Sequence, residues 1–452
     1  MSNVRLWAIL SPMRPAVKIR QIILAIGDVL VLYLSLILTL FFRYQALPSA
    51  AAINLHLRPF TIIFFFWILV FYIVGLYELR RLKNTLDFFK NFGTALGINT
   101  VISVLFFYLL TNYGIAPKTN LLIFLVVVFF LEYLWRGLYN RFISQPTAKI
   151  LFIGEGQATK KLINVIHQNP QLGYRFEVCT DVDDVAAAIV EKKIDIMAVQ
   201  TDLKKNQRLA AVIYNYLTSG VEVVDTIVLY ENIFGKIPLS ELEEFWFLEN
   251  IIERHRIYDF FRLPLEILLA FVLVIILSPL LILIALLIKL TSRGPVLIKQ
   301  KRVGELGKEF TFYKFRSMIA NSPDGSAEAD GIQWAKENDP RITILGTLLR
   351  RTHLDELPQL FNIIRGESSF VGPRPERPEF VEQLKKTVPF YELRHLVKPG
   401  ITGWAQLNYR YGASVEDAYE KLQYDLYYLK NRSLWLDLGI IIKTIKMIFV
   451  RN

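Results

Sequence analysis

LPLEILLAFVLVIILSPLLILIALLIKL, residues 263–290, is long and apolar enough to cross a bilayer, for which about 20 residues suffice. Its flanks are basic on both sides. Arg254, Arg256 and Arg262 precede it, and Lys289, Arg293, Lys299, Lys301 and Arg302 close and follow it. A crossing would carry one of these clusters to the outer face, against the preference of Lys and Arg for the inner one. Ser278-Pro279 lies near the middle. A proline there removes a backbone donor and crowds the preceding turn, so the helix should bend, with Ser278 satisfying a freed carbonyl. An ordinary proline-kinked span is the alternative. The flanks favour a re-entrant helix that dips into one leaflet and returns, which keeps the chain on either side of it at the same face of the membrane.

Upstream of this segment the chain is strongly apolar. Residues 19–42, 59–77, 88–110 and 120–139 are stretches of spanning length. Arg5, Arg14, Lys18 and Arg20 precede the first; Arg80, Arg81, Lys83 and Lys90 mark the second loop; Arg136, Arg141 and Lys149 mark the exit from the fourth. The first loop offers Arg43 and Arg58 and the third only Lys118, so the N-terminus, the second loop and everything after the fourth span read as cytoplasmic. Asp28 falls inside the first span with no acid or histidine evident at its depth. A structural hydrogen bond to another helix fits it better than proton handling. Composition agrees: of 452 residues 53% are hydrophobic and only 21% charged, with a formal charge of +11. That balance points to a membrane, an anionic substrate or both. A single cysteine, Cys179, excludes a disulfide framework, and the histidines show no metal-binding spacing.

Between these regions strands alternate with helices. Short β-type runs at 149–153, 194–199 and 221–224 are separated by helical patterns at 158–167, 182–192 and 206–219. Such alternation argues for a parallel, doubly wound sheet. The first run ends in Gly154-Glu155-Gly156, but Thr159 stands where a dinucleotide fingerprint needs a third glycine, and no acid clearly closes the second strand. A tight strand-to-helix turn explains both glycines equally well.

The last part of the chain is dense in rigid turns and cations. Phe312-Tyr313-Lys314-Phe315-Arg316-Ser317-Met318 is followed by Asp339-Pro340-Arg341, then by the run from Leu348 through Arg350, Arg351 and His353 to Asp355-Glu356-Leu357-Pro358. Val371-Gly372-Pro373-Arg374-Pro375, Lys398-Pro399-Gly400-Ile401-Thr402-Gly403, Asn408-Tyr409-Arg410 and Asp425-Leu426-Tyr427-Tyr428 complete the set. Prolines on both sides of Arg374 pre-position a guanidinium suited to bidentate phosphate capture. Leu354, Leu357 and Leu360 make an apolar stripe, so the adjacent acids sit on a packed helix with cations near. One carboxylate can attack phosphorus while the other takes a proton or helps hold Mg²⁺.

These motifs, in this order, resemble those of the bacterial polyprenyl-phosphate phosphoglycosyl transferases, the monotopic bacterial sugar transferase family. The whole layout is similar to the large members that initiate exopolysaccharide or O-antigen synthesis. The resemblance implies a membrane α-helical bundle over 1–145, a Rossmann-like α/β domain over 146–250, and a mainly α catalytic domain over 251–452 with the re-entrant helix at about 263–290. It implies that Asp355 attacks the sugar-bearing phosphate of a UDP-sugar, expelling UMP, and that polyprenyl (undecaprenyl) phosphate then takes the phosphosugar. Glu356 would serve as base, Mg²⁺ as cofactor with Asp355 as ligand, and Lys314, Arg316, Arg350, Arg374, Arg410 and Asp425 would bind substrate. Ser278 and Pro279 match the break in the family's re-entrant helix. Tyr409 departs from the glycine common before the Arg410 position. UDP-glucose or UDP-galactose would be the donor, the bacterial inner membrane the location with catalysis at its cytoplasmic face, and a homodimer the assembly.

Residues 433–450 mix Trp435, Leu436, Leu438 and Ile440 with Asp437, Lys443 and Lys446, which suits a helix lying at the membrane interface. A scaffold that had lost its chemistry would not need an intact acid pair with its basic set. An oxidoreductase would need a complete fingerprint and a Tyr-x-x-x-Lys pair, and Tyr230 is followed by Phe234. Nucleic acid is not expected as a partner, because much of the basic excess flanks membrane segments.

Overall fold

A computed structural model describes residues 15–77, 86–109, 117–142, 148–169, 172–200, 206–217, 220–251, 256–319, 341–409, 412 and 414–449. Arg410, Asp339 and Pro340, and the loop cations at 5, 14, 80, 81, 83 and 254, lie outside them. The chain forms two compact units, Met1–Ile233 and Phe234–Asn452.

The first unit begins with helices α1 (Pro15–Tyr44), α2 (Ala50–Val74), α3 (Leu86–Leu109) and α4 (Pro117–Phe142), each long and apolar enough to cross a membrane. Their shared interior is aromatic, built from Phe60, Phe64, Trp67, Phe71 and Phe124 among others. Asp28 of α1 is fully buried and accepts hydrogen bonds from Arg136 Nη2 at 2.6 Å and Trp135 Nε1 at 3.0 Å, both from α4. Gly27 permits this approach: a Cβ there would fall 2.0 Å from the Trp135 ring. Arg136 also donates to the Leu76 carbonyl at 2.9 Å. Asp28 is therefore held structurally, as its depth required. Two details of the sequence reading are corrected. Arg136 is no cytoplasmic flank but a buried counter-ion, and Glu132, also buried, is an acid close by, 3.7 Å from Arg136. A single sequence shows hydropathy along each helix, not which helices face one another.

Next come β1 (Ala148–Ile153), α5 (Gln157–Gln168), β2 (Tyr174–Cys179), α6 (Val185–Lys192), β3 (Ile196–Val199), α7 (Gln207–Leu217), β4 (Glu222–Asp225) and α8 (Thr226–Phe234). The strands form one sheet in the order β2-β1-β3-β4, with every pairing parallel. The sequence reading missed β2, because Tyr174-Arg175-Phe176-Glu177 is partly polar and only Tyr174 and Cys179 are fully buried along it. Gly154 sits at φ +103°, a turn that favours glycine, where the chain leaves β1 for α5.

The second unit holds α9 (Glu244–Asn250), the long α10 (Arg256–Thr291), the hairpin β5 (Leu297–Val303) and β6 (Glu309–Phe315), α11 (Ile344–Arg351), and α12 (Leu360–Ile364). It continues with β7 (Ser369–Val371), α13 (Pro378–Thr387), β8 (Gly400–Thr402), α14 (Trp404–Asn408), α15 (Val415–Asn431) and α16 (Leu434–Phe449). Ile237, Leu239, Phe247 and Ile251 pack in the core of this unit with Val371, Leu422 and Leu426.

α10 stays helical for 36 residues across Pro279. The carbonyl that Pro279 cannot bond is that of Ile275, four residues back, and the Ser278 hydroxyl donates to it at 2.8 Å. One face of α10 packs on the unit along its length. Ala270, Leu273, Val274 and Leu277 lie against Leu360 and Ile363, and Leu281, Ile284, Ala285 and Ile288 against Phe315, Leu349, Leu354 and Leu357. The other face leaves Phe260, Leu268, Ile275, Ile276, Ile282 and Leu290 exposed. Apolar exposure of that extent marks a lipid-facing surface.

Replacing Arg136 with Met should leave Asp28 buried and uncompensated, at a cost on the order of 3–5 kcal/mol. Thermal unfolding in detergent should fall markedly for Arg136→Met and recover in part in the double variant with Asp28→Asn, which still leaves Glu132 without its cation. An unchanged unfolding temperature for the single variant would show that the pair does not brace the bundle.

Candidate active site

Three separate segments of the second unit meet at Glu356. The first is the β5–β6 hairpin, registered so that Ile298 faces Lys314 and Leu297 faces Phe315. Phe312 and Phe315 of β6 are buried on opposite faces of the strand, and Lys314, on the same face as Phe312, stands beside its ring, 5.4 Å from the centroid. Asn362 fixes the hairpin against α12. Its amide donates to the Thr311 carbonyl at 2.7 Å and accepts from the Tyr313 N–H at 3.3 Å, and Glu367 takes its second proton at 2.7 Å. That fully buried amide holds Lys314 in register with the acid pair.

The second segment carries the acids. Thr343 caps α11 through the Gly346 N–H at 2.9 Å, and the helix ends at Arg351, two residues before His353, which adopts φ +56°. A left-handed residue reverses the chain direction, and Leu354–Gln359 continues as a tight 3₁₀ turn. Leu354 and Leu357 press the turn onto α10, so Asp355 and Glu356 are both buried, at 7% and 8% exposure, although adjacent in sequence.

The third segment is the Pro373-Arg374-Pro375 turn. Glu356 Oε1 accepts from Lys314 Nζ at 2.8 Å and from Arg374 Nη2 at 2.7 Å. The two acids are thus made unequal. Burial works against ionisation of Glu356, but Arg374 and Lys314 outweigh it and hold its carboxyl well below the usual range. For Asp355 burial prevails: its pKa is raised, with Lys314 only partly offsetting desolvation and the neighbouring Glu356 charge adding to it. Burial likewise lowers Lys314, against the pull of Glu356.

The end of α11, just before the acid turn, brings Arg350 near enough to Asp355 to influence its charge. Several buried polar atoms here have no hydrogen-bond partner among the described residues: Arg350 Nη1, Asp355 Oδ1 and both amide atoms of Gln359. A buried polar atom left unbonded is costly, so each of them would gain from a polar partner. Gln359 escaped the sequence reading, since nothing about a glutamine after Leu357-Pro358 signals burial.

The remaining candidates lie further from Glu356. Arg316 is buried and reaches the end of α10, donating to the carbonyls of Ser292 at 2.8 Å and Arg293 at 2.9 Å. Asp425 is buried on α15 and pairs with Arg394 at 2.9 Å. Ser278 and Pro279 lie within α10, where Ser278 bonds the Ile275 carbonyl. Tyr409, next to the undescribed Arg410, donates to Asp417 at 2.6 Å.

Residues 257–451 match the family described as Bacterial sugar transferase. A UDP-N-acetylgalactosamine-undecaprenyl-phosphate N-acetylgalactosaminephosphotransferase of Aeromonas hydrophila is 46% identical over 218 residues, covering 48% of this chain and 50% of the relative. A UDP-glucose:undecaprenyl-phosphate glucose-1-phosphate transferase of Escherichia coli (strain K12) is 43% identical over 189 residues, 41% of this chain and 40% of the relative. The undecaprenyl-phosphate galactose phosphotransferase of Salmonella typhimurium is 31% identical over 360 residues, 73% of each chain. The chain belongs to the bacterial sugar transferase family. The matched region spans about half the length of the first relative and 40% of the second, whereas the third match extends through most of both chains. The family match begins at the start of α10 and takes in every candidate site residue.

Among the described residues no group of three or more His, Cys, Asp or Glu is placed to hold a metal ion. The donor set still fits Mg²⁺, which is commonly held by one or two carboxylates and completed by substrate phosphates and water. Asp355 Oδ1 is the buried oxygen without a partner that such an ion would take.

Proposed function

We propose that the second unit transfers a sugar 1-phosphate from a UDP-sugar to polyprenyl phosphate, with Asp355 as the nucleophile. The observation that carries this reading is the inequality of the acids: Glu356 is engaged by two cations, while Asp355 keeps a buried oxygen without a partner. A carboxylate oxygen of Asp355 attacks the sugar-bearing phosphorus, and the bond from that phosphorus to the bridging oxygen breaks, so UMP departs with that oxygen. Polyprenyl phosphate then attacks the same phosphorus, the bond to Asp355 breaks, and polyprenyl-diphosphate-sugar leaves the carboxylate restored. Lys314, Arg350 and Arg374 neutralise the charge that develops on the transferred phosphoryl group, the main demand of such chemistry. Mg²⁺ held by Asp355 would neutralise diphosphate charge when bound.

Glu356 changes role during this cycle. Paired to Lys314 and Arg374 it is a weak base. Arriving phosphate oxygens compete for both cations, and each bond given up lets its pKa rise, so the acceptor's proton can pass to it in the second step. The donor class is a UDP-hexose or UDP-N-acetylhexosamine, in line with the names of the relatives. The assignment of glucose or galactose widens accordingly.

The position of α10 supports a re-entrant reading. Arg262, near its start, donates to Tyr428 at 3.0 Å and to Glu266 at 2.9 Å, and also binds Ser369 and the Val371 carbonyl. Its other end is capped by Arg316. Both ends thus meet polar groups of one unit, and a helix crossing the bilayer could not offer both to a domain on one side. α16, with Trp435 73% exposed beside Leu434 and Leu438, adds an interfacial anchor. The catalytic unit then lies on the cytoplasmic face of the inner membrane, where UDP-sugars are found.

Radiolabelled UDP-glucose, UDP-galactose and UDP-N-acetylgalactosamine, each labelled in the sugar, should leave label on the protein without acceptor and release UMP. Asp355→Asn should carry none, and turnover of that variant near the parent rate would end the covalent reading. For topology, Phe260→Cys and Lys299→Cys, each in a Cys179→Ser background, should react with an impermeant maleimide from the cytoplasmic side only. Labelling of Lys299→Cys from the periplasm would contradict re-entry.

A further inference from the structure

Arg374 owes its position to a backbone held at every carbonyl of its turn. The Pro373 carbonyl accepts from the Gly400 N–H at 3.0 Å, and the Glu376 carbonyl accepts from the Val303 N–H at 2.9 Å. The two carbonyls between them are taken by arginine side chains from opposite parts of the unit. Arg394 Nη2 donates to the Arg374 carbonyl at 3.0 Å, and Arg302 Nη1 to the Pro375 carbonyl at 3.1 Å. Prolines leave the turn without N–H groups of its own at two positions, so its carbonyls are the handles by which it can be fixed.

Neither arginine reaches its carbonyl unaided. Arg394 is buried, and all three of its nitrogens are bound: Nε donates to Asp425 at 3.1 Å, Nη2 pairs with the same carboxylate at 2.9 Å besides holding the Arg374 carbonyl, and Nη1 donates to the Tyr391 hydroxyl at 2.6 Å. Arg302 lies over the Phe312 ring at 5.5 Å, 3.7 Å from Glu376 and 3.0 Å from Gln300. Burial pulls Arg302 down to about 10, so it remains charged at neutral pH. The cleft behind the turn, lined by Val303, Gly304, Pro373, Arg394 and His395, has a volume of about 10 Å³, room for little more than one water.

We infer that Asp425, Arg394 and Arg302 are positioning residues: a two-armed clamp on the Pro373-Arg374-Pro375 backbone that aims the Arg374 guanidinium at Glu356 and at the substrate phosphate. Asp425 then acts at second hand. Its carboxylate orients Arg394, Arg394 grips the Arg374 carbonyl, and Arg374 meets the site. This reassigns Asp425 from a substrate contact to the base of the clamp, and it rests on the proposed phosphosugar transfer only for its kinetic test. A misplacement of about 1 Å at a group that contacts the reacting phosphate can cost about 100-fold in rate.

The test is a mutant cycle on the full chain in detergent, with UDP-glucose, UDP-galactose and UDP-N-acetylgalactosamine as donors and polyprenyl phosphate as acceptor. Asp425→Asn alone should lower kcat/KM about 100-fold. In an Arg374→Ala background the same substitution should change it less than about threefold, because the group it positions is gone. A further full loss in that background would overturn the inference, since Asp425 would then act on substrate independently of Arg374. If Asp425→Asn fails to fold, Arg394→Lys replaces it. That change keeps a cation for Asp425 but cannot hold the carboxylate and the Arg374 carbonyl together, and the same non-additivity is expected. A readout independent of turnover is the affinity of the full chain for UDP, used as a diphosphate probe. Asp425→Asn or Arg394→Lys should weaken it as Arg374→Ala does and add little to that variant, and an unchanged UDP affinity in a folded clamp variant would refute the clamp even if no donor is turned over. Wild-type protein that turns over none of the donors while UDP affinity falls as expected would instead count against the proposed transfer alone.

Discussion

One oxygen of Glu356 accepts from both Lys314 and Arg374, and most of the second unit can be understood as the structure needed to make that meeting possible. The two cations come from a hairpin and from a proline-bounded turn, and the carboxylate from a tight helical turn between them. Bringing three charges into a half-buried site is unfavourable unless the geometry is held by other contacts. Asn362 pins the hairpin, His353 turns the chain so that the acids face inward, and Arg302 and Arg394 grip the Arg374 turn. The consequence is chemical. With Glu356 engaged by both cations, Asp355 is the acid of the pair that retains an unpartnered oxygen.

The same unit must work at a surface. α10 turns one face to the unit and the other outward, and polar contacts close both of its ends. Ser278 supplies the hydrogen bond that Pro279 denies to Ile275, so the helix keeps its backbone satisfied where water would be scarce. The leucines that carry the acid pair rest on this helix.

Much of this was visible in the residues themselves. Hydropathy located the apolar helices but not all of their starts: α2 begins at Ala50 rather than 59 and α10 at Arg256 rather than 263, because their first turns are mixed in polarity. The strand–helix alternation announced the parallel sheet, and the leucine stripe around Asp355-Glu356 foretold packing onto an apolar surface. What the sequence could not show was partnership. Arg136 read as a flank because its hydropathy is that of a flank, and only the fold sets it against Asp28. Arg394 lies in a stretch with no turn or motif to distinguish it, and Arg302 looked like one more cation beside a membrane segment. Their importance comes from carbonyls contributed 20 residues before Arg394 and 73 residues after Arg302. β2 was missed for a related reason: its burial depends on neighbours rather than on its own pattern.

The central claim is that the fold makes two adjacent acids chemically opposite. A pH titration of the side-chain carboxyl bands of the protein in detergent, assigned by difference against Asp355→Asn and Glu356→Gln, tests it most directly. Free aspartate titrates near 3.9 and free glutamate near 4.3. The account predicts the order inverted, with Glu356 ionising well below the ordinary range and Asp355 above it. Two carboxyls titrating together at ordinary values, or Asp355 ionising first, would contradict it.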